Sequence, residues 1–243
     1  MTSPLVIGIT ECGKWDNYAK WVQRSYPHVR TLKLLWREPS SDDFDHCDGL
    51  MLTGGEDVHP RFYGVPEKVA ELDPKEINER RDEFELRIIE ATLKRESSIL
   101  GICRGLQIVN VYFGGTLILD IPRAGKPDHS KSQGSDRTHP VNVVPNTQLE
   151  KCVGVNRGEV NSSHHQAAER VGRGLKTSAL SDDGIIEAME WEKPDRNPFL
   201  LLVQWHPERM QTLESPFSKN VLFEFVQAAA KKQQGTAISS LTK

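Results

Sequence analysis

Hydrophobic and polar residues alternate along the first two thirds of the chain in a pattern that predicts short strands separated by helices. Segments such as "PLVIGIT", "DGLMLT" and "SSILGI" are apolar on both faces, which is typical of strands in a parallel sheet covered on each side. "NYAKWVQRSY" and "LQIVNVYF" have the spacing of helices. The pattern therefore predicts an α/β fold with a mostly parallel, flavodoxin-like sheet flanked by helices.

A long helix is predicted roughly from Asp73 to Arg95, with a charged and solvated start in "DPKEINERRDE". Further along, Phe84 and Ile88 form one apolar stripe, while Leu86 and Ile89 lie on nearly the opposite side. We expect this helix to have neighbours on both sides.

The last third of the chain predicts an added β-rich segment and a closing helix. Residues 122–137 have loop composition, and "HPVNVV", "GEVNSS", "LKTSAL", "GIIEAMEW" and "FLLLVQW" read as strands, with a hairpin turn at "SDDG". Ser215 and Pro216 have the N-cap and first-position chemistry of a helix start. We predict one domain over residues 1–232 and a disordered tail over 233–243.

Composition narrows the class of function. The 243 residues carry a formal net charge of -3 and no large basic cluster, which argues against nucleic-acid and membrane-surface binding. The start "MTSPLVIGIT" lacks signal-peptide features, so we expect a cytoplasmic location. The four cysteines lack CxxC spacing and fit neither a zinc site nor a disulfide framework. A small-molecule enzyme is the expectation, and a homodimer is one arrangement it could adopt.

The candidate nucleophile is Cys103, which lies between Gly101 and Gly105 where a predicted strand meets a predicted helix. G-x-C-x-G is the cysteine form of a nucleophile elbow, and small flanking residues let the turn pass close to its neighbours. A helix beginning near Arg104 stabilises a thiolate through its free N–H groups. The alternative is that Cys103 is only a small buried hydrophobic residue.

A base and its orienting group follow the last predicted core strand, in "LLLVQWHPERM". His206 comes just past the apolar run, and the Glu208 carboxylate could hold its imidazole in one tautomer. The carboxyl edge of a parallel sheet is where such groups collect. Alone, His206 could equally be an ordinary loop residue.

An oxyanion hole needs two donors. The backbone N–H of Arg104 is one candidate, and the second could come from Gly54 or Gly55, which follow a buried strand in "LMLTGGEDVHP". A glycine pair at that place could also be a simple turn.

Together, "LTGGEDVHPRFYG", "RRDEFE", "LGICRGLQIVNVYFGGTL", "VNSSHHQA" and "VQWHPE" resemble the motif series of the class I glutamine amidotransferase-like superfamily. The chain most resembles the γ-glutamyl-γ-aminobutyrate hydrolase branch, also classed as the C26 peptidases, over roughly residues 5–230. The departures from the family pattern are "RSYPHVRTLKL" before the second strand and the loop "AGKPDHSKSQGSDR". Loops at the sheet edge select the leaving group, so we expect these segments to influence which amine is released.

The resemblance implies roles for individual residues. It makes Cys103 the nucleophile, His206 the general acid and base, Glu208 its partner, and the N–H groups of Gly55 and Arg104 the oxyanion donors. It also places a set of substrate-binding residues around the pocket, namely Gly54, Gln107, Ser163, His164 and His165. From the residues alone, the two histidines could bind a metal or be exposed, but the sequence shows no third ligand at metal spacing.

The function that the resemblance implies is hydrolysis of a small γ-glutamyl amide through a γ-glutamyl thioester, with no cofactor and no metal. Two alternatives remain. One is a glutaminase subunit that passes ammonia to a synthetase partner, although no synthetase domain is recognised in this sequence. The other is a non-catalytic binding protein, which the presence of all three triad residues disfavours.

Overall fold

The structure is a computed structural model that describes the backbone of residues 4–38 and 44–241 and side chains up to residue 233. Its strands, in chain order, are Val6–Thr10 (β1), Arg30–Leu34 (β2), Gly49–Leu52 (β3), Ser98–Ile102 (β4), Leu117–Ile118 (β5), Arg137–Val143 (β6), Arg157–Ser162 (β7), Ala167–Ala168 (β8), Leu175–Ser181 (β9), Ile186–Trp191 (β10) and Leu200–Val203 (β11). The α-helices among the described residues are Trp15–Ser25 (α1), Glu79–Lys94 (α2), Arg104–Tyr112 (α3), Gln148–Val153 (α4) and Pro216–Leu241 (α5).

A nine-stranded mixed sheet forms the centre of the fold, in the order β2-β1-β3-β4-β11-β10-β9-β6-β7. The first five strands are parallel, and the pairings from β11 to β7 are antiparallel. The inner parallel strands β1, β3, β4 and β11 are buried along their whole length, as strands that are apolar on both faces should be. This single-domain arrangement confirms the predicted fold class.

The β-rich region is a continuation of the sheet and not a separate addition. The predicted strands form β6, β7, β9 and β10, and "SDDG" makes the turn between β9 and β10, where the Gly184 N–H donates to the Ser181 carbonyl at 3.0 Å. Strand β11 joins the two halves, because it pairs with β4 on one side and with β10 on the other.

Helices cover both faces of the parallel half. Helices α1 and α5 pack on one face, where Phe225 belongs to the same apolar cluster as Leu100 of β4. Helices α2 and α3 pack on the other, where Ile89 belongs to a cluster with Ile99, the neighbouring residue of β4. Successive strand residues thus serve opposite faces, and the carboxyl ends of the strands are left uncovered by either layer.

The long helix predicted from Asp73 begins instead at Glu79. Asn78 caps it, since the Asn78 side-chain oxygen accepts a hydrogen bond from the Arg81 backbone N–H at 3.2 Å. Asp73 caps a separate short 3-10 turn, Pro74–Glu76, in the same manner. Two short side chains that bond to the backbone thus interrupt a charged segment that has no apolar face to hold it as one helix.

Helix α5 starts as predicted, with the Ser215 hydroxyl accepting from the Phe217 N–H at 3.3 Å. Its backbone stays helical to Leu241, whereas the sequence analysis expects residues 233–243 to be disordered. Extending an existing helix adds one hydrogen bond for each residue fixed, which is easier than starting one; residues 242–243 lie outside the described residues. No helix in the described part of the chain is both long and apolar enough to cross a membrane.

Candidate active site

Strand ends at the carboxyl edge of the sheet surround a cavity of about 290 Å³. Cys12 lies just past β1, Gly54 and Gly55 follow β3, Cys103 follows β4, and His206 lies just past β11; all of them line the cavity. Parallel strands bring such positions to one edge although they are far apart in the chain. The structure therefore brings the predicted nucleophile, base and glycine pair together.

Cys103 occupies a strained turn between β4 and α3, with φ 54° and ψ −107°. A Cβ on Gly101 would lie 2.7 Å from the Leu202 side chain, and one on Gly105 would lie 2.4 Å from the Leu52 carbonyl oxygen. The flanking glycines thus allow two neighbouring strands to approach the turn, as the sequence analysis expects. Such a strained conformation persists because the surrounding residues fix the backbone. In this conformation Cys103 lines the cavity, as expected of a nucleophile elbow.

His206 is held by contacts on two sides. Its Nδ1 lies 3.0 Å from Glu208 Oε1, and its backbone N–H donates to Asn161 Oδ1 at 3.1 Å. Burial would lower the pKa of His206, but the charges of Glu208 and Cys103 outweigh burial and raise it to about 9. The ring therefore favours the protonated form, and because Nδ1 is paired with Glu208, Nε2 is the nitrogen left to act toward Cys103.

The two glycines after β3 play different parts. The Gly54 N–H donates to the Tyr18 hydroxyl at 3.0 Å, and a Cβ on Gly54 would lie 2.8 Å from the His206 ring. Gly55 has φ +151°, and a Cβ there would lie 2.1 Å from Arg81 Nη1. The Gly54 N–H therefore already has a partner, and the predicted oxyanion donor of the pair remains Gly55.

The Arg81 side chain stabilises this glycine turn through hydrogen bonds to its carbonyl groups. Its Nη2 donates to the carbonyls of Thr53 at 3.3 Å and Gly54 at 3.0 Å. Its other nitrogens bind Glu85 at 2.9 Å and Glu56 at 2.6 Å. The buried guanidinium therefore fixes the backbone of Gly54 and Gly55, which line the cavity.

The Arg104 side chain is buried away from the cavity and bridges Asp82 and Glu85 of α2. Burial would raise the pKa of Glu85, but the guanidinium groups of Arg104 and Arg81 outweigh it and lower that pKa. These ion pairs join α2 to the start of α3, so the first backbone N–H of α3 is held in place. The motif "RRDEFE" carried this signal, since Arg81, Asp82 and Glu85 share one helix face, but the sequence analysis did not assign them this role.

Two residues predicted to bind substrate lie in different surroundings. Ser163 lines the cavity, as expected. Gln107 is not among its lining residues: the Gln107 amide donates to the Gln166 carbonyl at 3.1 Å and to Gln204 Oε1 at 3.3 Å. Gln107 Nε2 thus links α3 to the segment after β7, and a substrate contact for Gln107 stays a prediction.

The histidine pair also lies outside the cavity lining. His164 is buried, and its ring groups with His129, His139 and Glu187 in a set whose nearest nitrogen and oxygen atoms all lie within 4.8 Å of one another. The sequence shows no third ligand at metal spacing, whereas the fold brings His129, His139 and Glu187 to His164 from distant parts of the chain. His165 turns the other way and binds carboxylates, at 3.0 Å from Asp57 Oδ1 and 3.4 Å from Asp120 Oδ2.

Comparison with known proteins gives a consistent result. A family model described as Peptidase C26 matches residues 14–208. A Schizosaccharomyces pombe relative, provisionally named a glutamine amidotransferase, is 40% identical over 171 residues, which are 67% of this chain and 62% of the relative. The γ-glutamyl-γ-aminobutyrate hydrolase of Escherichia coli (strain K12) is 34% identical over 173 residues, which are 66% of this chain and 64% of that protein.

A solved structure shares the fold. A Thermotoga maritima protein described as a glutamine amidotransferase has a TM-score of 0.62 at 15% sequence identity, covering 95% of this chain and 86% of that chain. The matched family segment contains Cys103, His206 and Glu208.

Proposed function

Because the chain belongs to the Peptidase C26 family of the class I glutamine amidotransferase-like superfamily, we propose that it is a cysteine-dependent hydrolase that cleaves the amide bond of small γ-glutamyl compounds. Family membership indicates a hydrolase or an amidotransferase, and both reactions need an activated thiol. The observation that carries the proposal is Cys103 at a strained turn, opening into the same cavity as the His206–Glu208 pair.

Acylation begins when the Cys103 thiolate attacks the γ-carbonyl carbon. The new C–S bond places the carbonyl electron pair on oxygen, and the backbone N–H groups of Gly55 and Arg104 stabilise that oxyanion. As the oxyanion collapses, the C–N bond breaks and His206 donates its proton to the departing amine. A γ-glutamyl thioester remains on Cys103.

Deacylation uses the same groups in reverse order. His206, now neutral, takes a proton from water, and the hydroxide formed attacks the thioester carbon. The second oxyanion collapses with loss of the Cys103 thiolate, and free glutamate leaves. Glu208 keeps the imidazole in the orientation and tautomer that both steps require.

The charged residues of the cavity lining support a γ-glutamyl substrate. That group carries an α-carboxylate and an α-ammonium, and the lining includes both basic residues, Lys14 and Arg209, and acidic residues, Glu56 and Glu76. A volume of about 290 Å³ suits a small molecule better than a folded protein. We therefore assign substrate recognition to these four side chains together with Ser163.

The leaving amine is the open part of the proposal. The Escherichia coli relative is named for γ-glutamyl-γ-aminobutyrate, whereas the Schizosaccharomyces pombe relative is provisionally named a glutamine amidotransferase. The second name favours the alternative of a glutaminase that supplies ammonia to a partner. Both activities share the first thioester, so the choice between them depends on which amide is cleaved.

The test is glutamate release from a panel of γ-glutamyl amides that includes γ-glutamyl-γ-aminobutyrate and free glutamine. Wild type should cleave a γ-glutamyl amide in preference to glutamine, and Cys103→Ala should lose at least about 10³-fold in kcat. The matched control is Cys152→Ala: burial raises the pKa of this thiol, far from the cavity, to about 12, and the variant should keep its activity.

Other results would redirect the proposal. Slow turnover of glutamine alone would favour a glutaminase with a synthetase partner. Equal activity in wild type and Cys103→Ala, or no cleavage of any amide, would reject a Cys103 nucleophile acting on γ-glutamyl amides.

A further inference from the structure

A second cluster of polar side chains lies under the antiparallel half of the sheet. His129 comes from the loop before β6, His139 from β6, His164 from the turn after β7, and Glu187 from β10. The backbone joins two of these segments directly, because the His129 carbonyl accepts from the His164 N–H at 3.1 Å and from the Ser162 hydroxyl at 2.7 Å. The four side chains therefore meet in a region that the fold itself determines.

The inward-facing atoms of the cluster have no hydrogen-bond partner. They are His129 Nδ1, His139 Nε2, His164 Nε2 and both carboxylate oxygens of Glu187. Glu187 is fully buried, and His129 and His164 are each 5% exposed. Buried polar atoms are nearly always paired, so a group of unpaired atoms, one from each of four side chains within 4.8 Å of one another, indicates a missing ligand.

The outward-facing nitrogen of each ring does have a partner. His129 Nε2 lies 3.2 Å from Asp183 Oδ2, His139 Nδ1 lies 3.1 Å from the Pro140 carbonyl, and His164 Nδ1 lies 2.9 Å from the Gln166 carbonyl. These acceptors require a proton on each outer nitrogen, which leaves the inner nitrogen with a lone pair. Carbonyl and carboxylate partners of this kind are typical of metal-binding histidines.

The spacing of the inner atoms fits a metal better than hydrogen bonds. Glu187 Oε1 lies 3.5 Å from His129 Nδ1, 3.5 Å from His139 Nε2 and 3.6 Å from His164 Nε2. These distances are longer than ordinary hydrogen bonds. These three distances are close to the edge of about 3.4 Å of a tetrahedron whose centre is a zinc ion with bonds of about 2.1 Å. All four ligand atoms lie within 4.8 Å of one another, so binding would draw the imidazole nitrogens inward.

We propose that His129, His139, His164 and Glu187 form a buried Zn²⁺ site. Three imidazole nitrogens and one carboxylate oxygen complete four-coordinate zinc, which leaves no position for water or substrate. The site is therefore structural and does not take part in the chemistry at Cys103.

The proposed ion would fix the wall of the catalytic cavity. His164 directly follows Ser163, which lines that cavity, and Asn161 in the same segment accepts from the His206 backbone. Zinc would hold this segment against β6 and β10 without contacting substrate. Its loss should lower thermal stability and loosen the backbone around His206.

The experiment measures zinc in the untagged full-length chain after extensive dialysis. A Cys103→Ala background prevents zinc bound at the catalytic thiol from being counted. We expect about one retained equivalent, lost in Glu187→Gln and in His164→Asn. The matched control is His28→Gln, an exposed histidine outside the cluster, which should keep the ion.

Cobalt substitution and melting curves distinguish loss of the metal site from misfolding of a variant. Co²⁺ bound to the unsubstituted cluster should give the intense visible absorption of tetrahedral coordination, and removing the metal with a chelator should lower Tm. The milder His139→Asn variant, at a half-buried ring, should lose the absorption while keeping its circular dichroism.

The proposed zinc site is rejected if the chain retains no zinc and the chelator leaves its Tm unchanged. Equal zinc content in His164→Asn and His28→Gln would also reject it. Neither readout depends on hydrolysis of a γ-glutamyl amide, so the zinc site and the proposed function stand or fall separately.

Discussion

Two groups of histidines and carboxylates lie on either side of the segment that follows β7. In the first, His206 gives Nδ1 to Glu208 and turns its other nitrogen to a cavity that holds a thiol. In the second, three imidazoles give their outer nitrogens to neighbouring acceptors and turn the inner ones to a single buried carboxylate, Glu187.

The difference shows that the partner of one ring nitrogen decides the use of the other. His206 keeps one nitrogen free beside open space, so it can move protons. His129, His139 and His164 instead turn their inner nitrogens to the buried Glu187 carboxylate and not to the catalytic cavity, so these nitrogens are placed to hold an ion. Histidine thus has a proposed catalytic role in the first group and a proposed structural role in the second.

The largest expected effect is the loss of activity in Glu208→Gln, which removes the carboxylate partner of His206. The substitution removes the charge that holds His206 protonated and oriented, so kcat should fall about 10³ to 10⁴-fold while the bound zinc is unchanged. Steady-state kinetics and metal analysis of the same preparation measure both effects. Glu214→Gln, an exposed glutamate paired with Lys219, is the control and should behave as wild type. A Glu208→Gln enzyme with normal kcat would remove Glu208 from the mechanism.

An effect of intermediate size is expected in the pH dependence of the free energy of unfolding. The pKa of His206 is raised from 6.5 to about 9 in the folded chain, so the protonated ring favours folding below pH 6.5, and this contribution is lost as pH rises through 9. One pKa unit corresponds to about 1.4 kcal/mol, so His206 contributes a loss of about 3 kcal/mol over this interval. Urea unfolding at both pH values should show a smaller loss in His206→Gln. Equal losses in the two proteins would contradict the account.

The smallest effect is expected when the zinc cluster loses an outer partner. Asp183→Asn removes the negative charge beside His129 Nε2, and such changes weaken metal binding by about 10 to 100-fold. Competition with a metal chelator measures the affinity. Asp182→Asn is the matched control, because this exposed neighbour pairs with Arg157 and not with an outer nitrogen of the cluster. Identical affinities in the two variants would show that Asp183 does not orient His129.

Local patterns in the sequence were sufficient to predict much of the fold. Apolar strands separated by helices predicted the parallel half, and the glycines around Cys103 predicted a tight turn that the structure contains. His206 and Glu208 were predicted from their place after a strand, since strand ends collect at one edge of a parallel sheet. Each of these inferences used residues that lie near one another in the chain.

Features that depend on long-range pairing were not predictable in the same way. His164 could be joined to His129, His139 and Glu187 only once β6, β9 and β10 were known to be neighbours in the sheet. The start of α2 was missed because Asn78 and Asp73 bond to the backbone and interrupt a segment whose composition suits a helix. The bonds of Gln107 Nε2 to Gln166 and Gln204 also depend on segments that are distant in the chain.

The central claim is that Cys103 carries the γ-glutamyl group during turnover, and rapid acid quenching followed by peptide mass spectrometry tests it most directly. Wild type mixed with a cleaved γ-glutamyl amide should show the mass of one γ-glutamyl group on the Cys103 peptide, and Cys103→Ala should show none. The account would be contradicted if glutamate were released while the Cys103 peptide stayed unmodified at every quench time, or if the group were found on another cysteine.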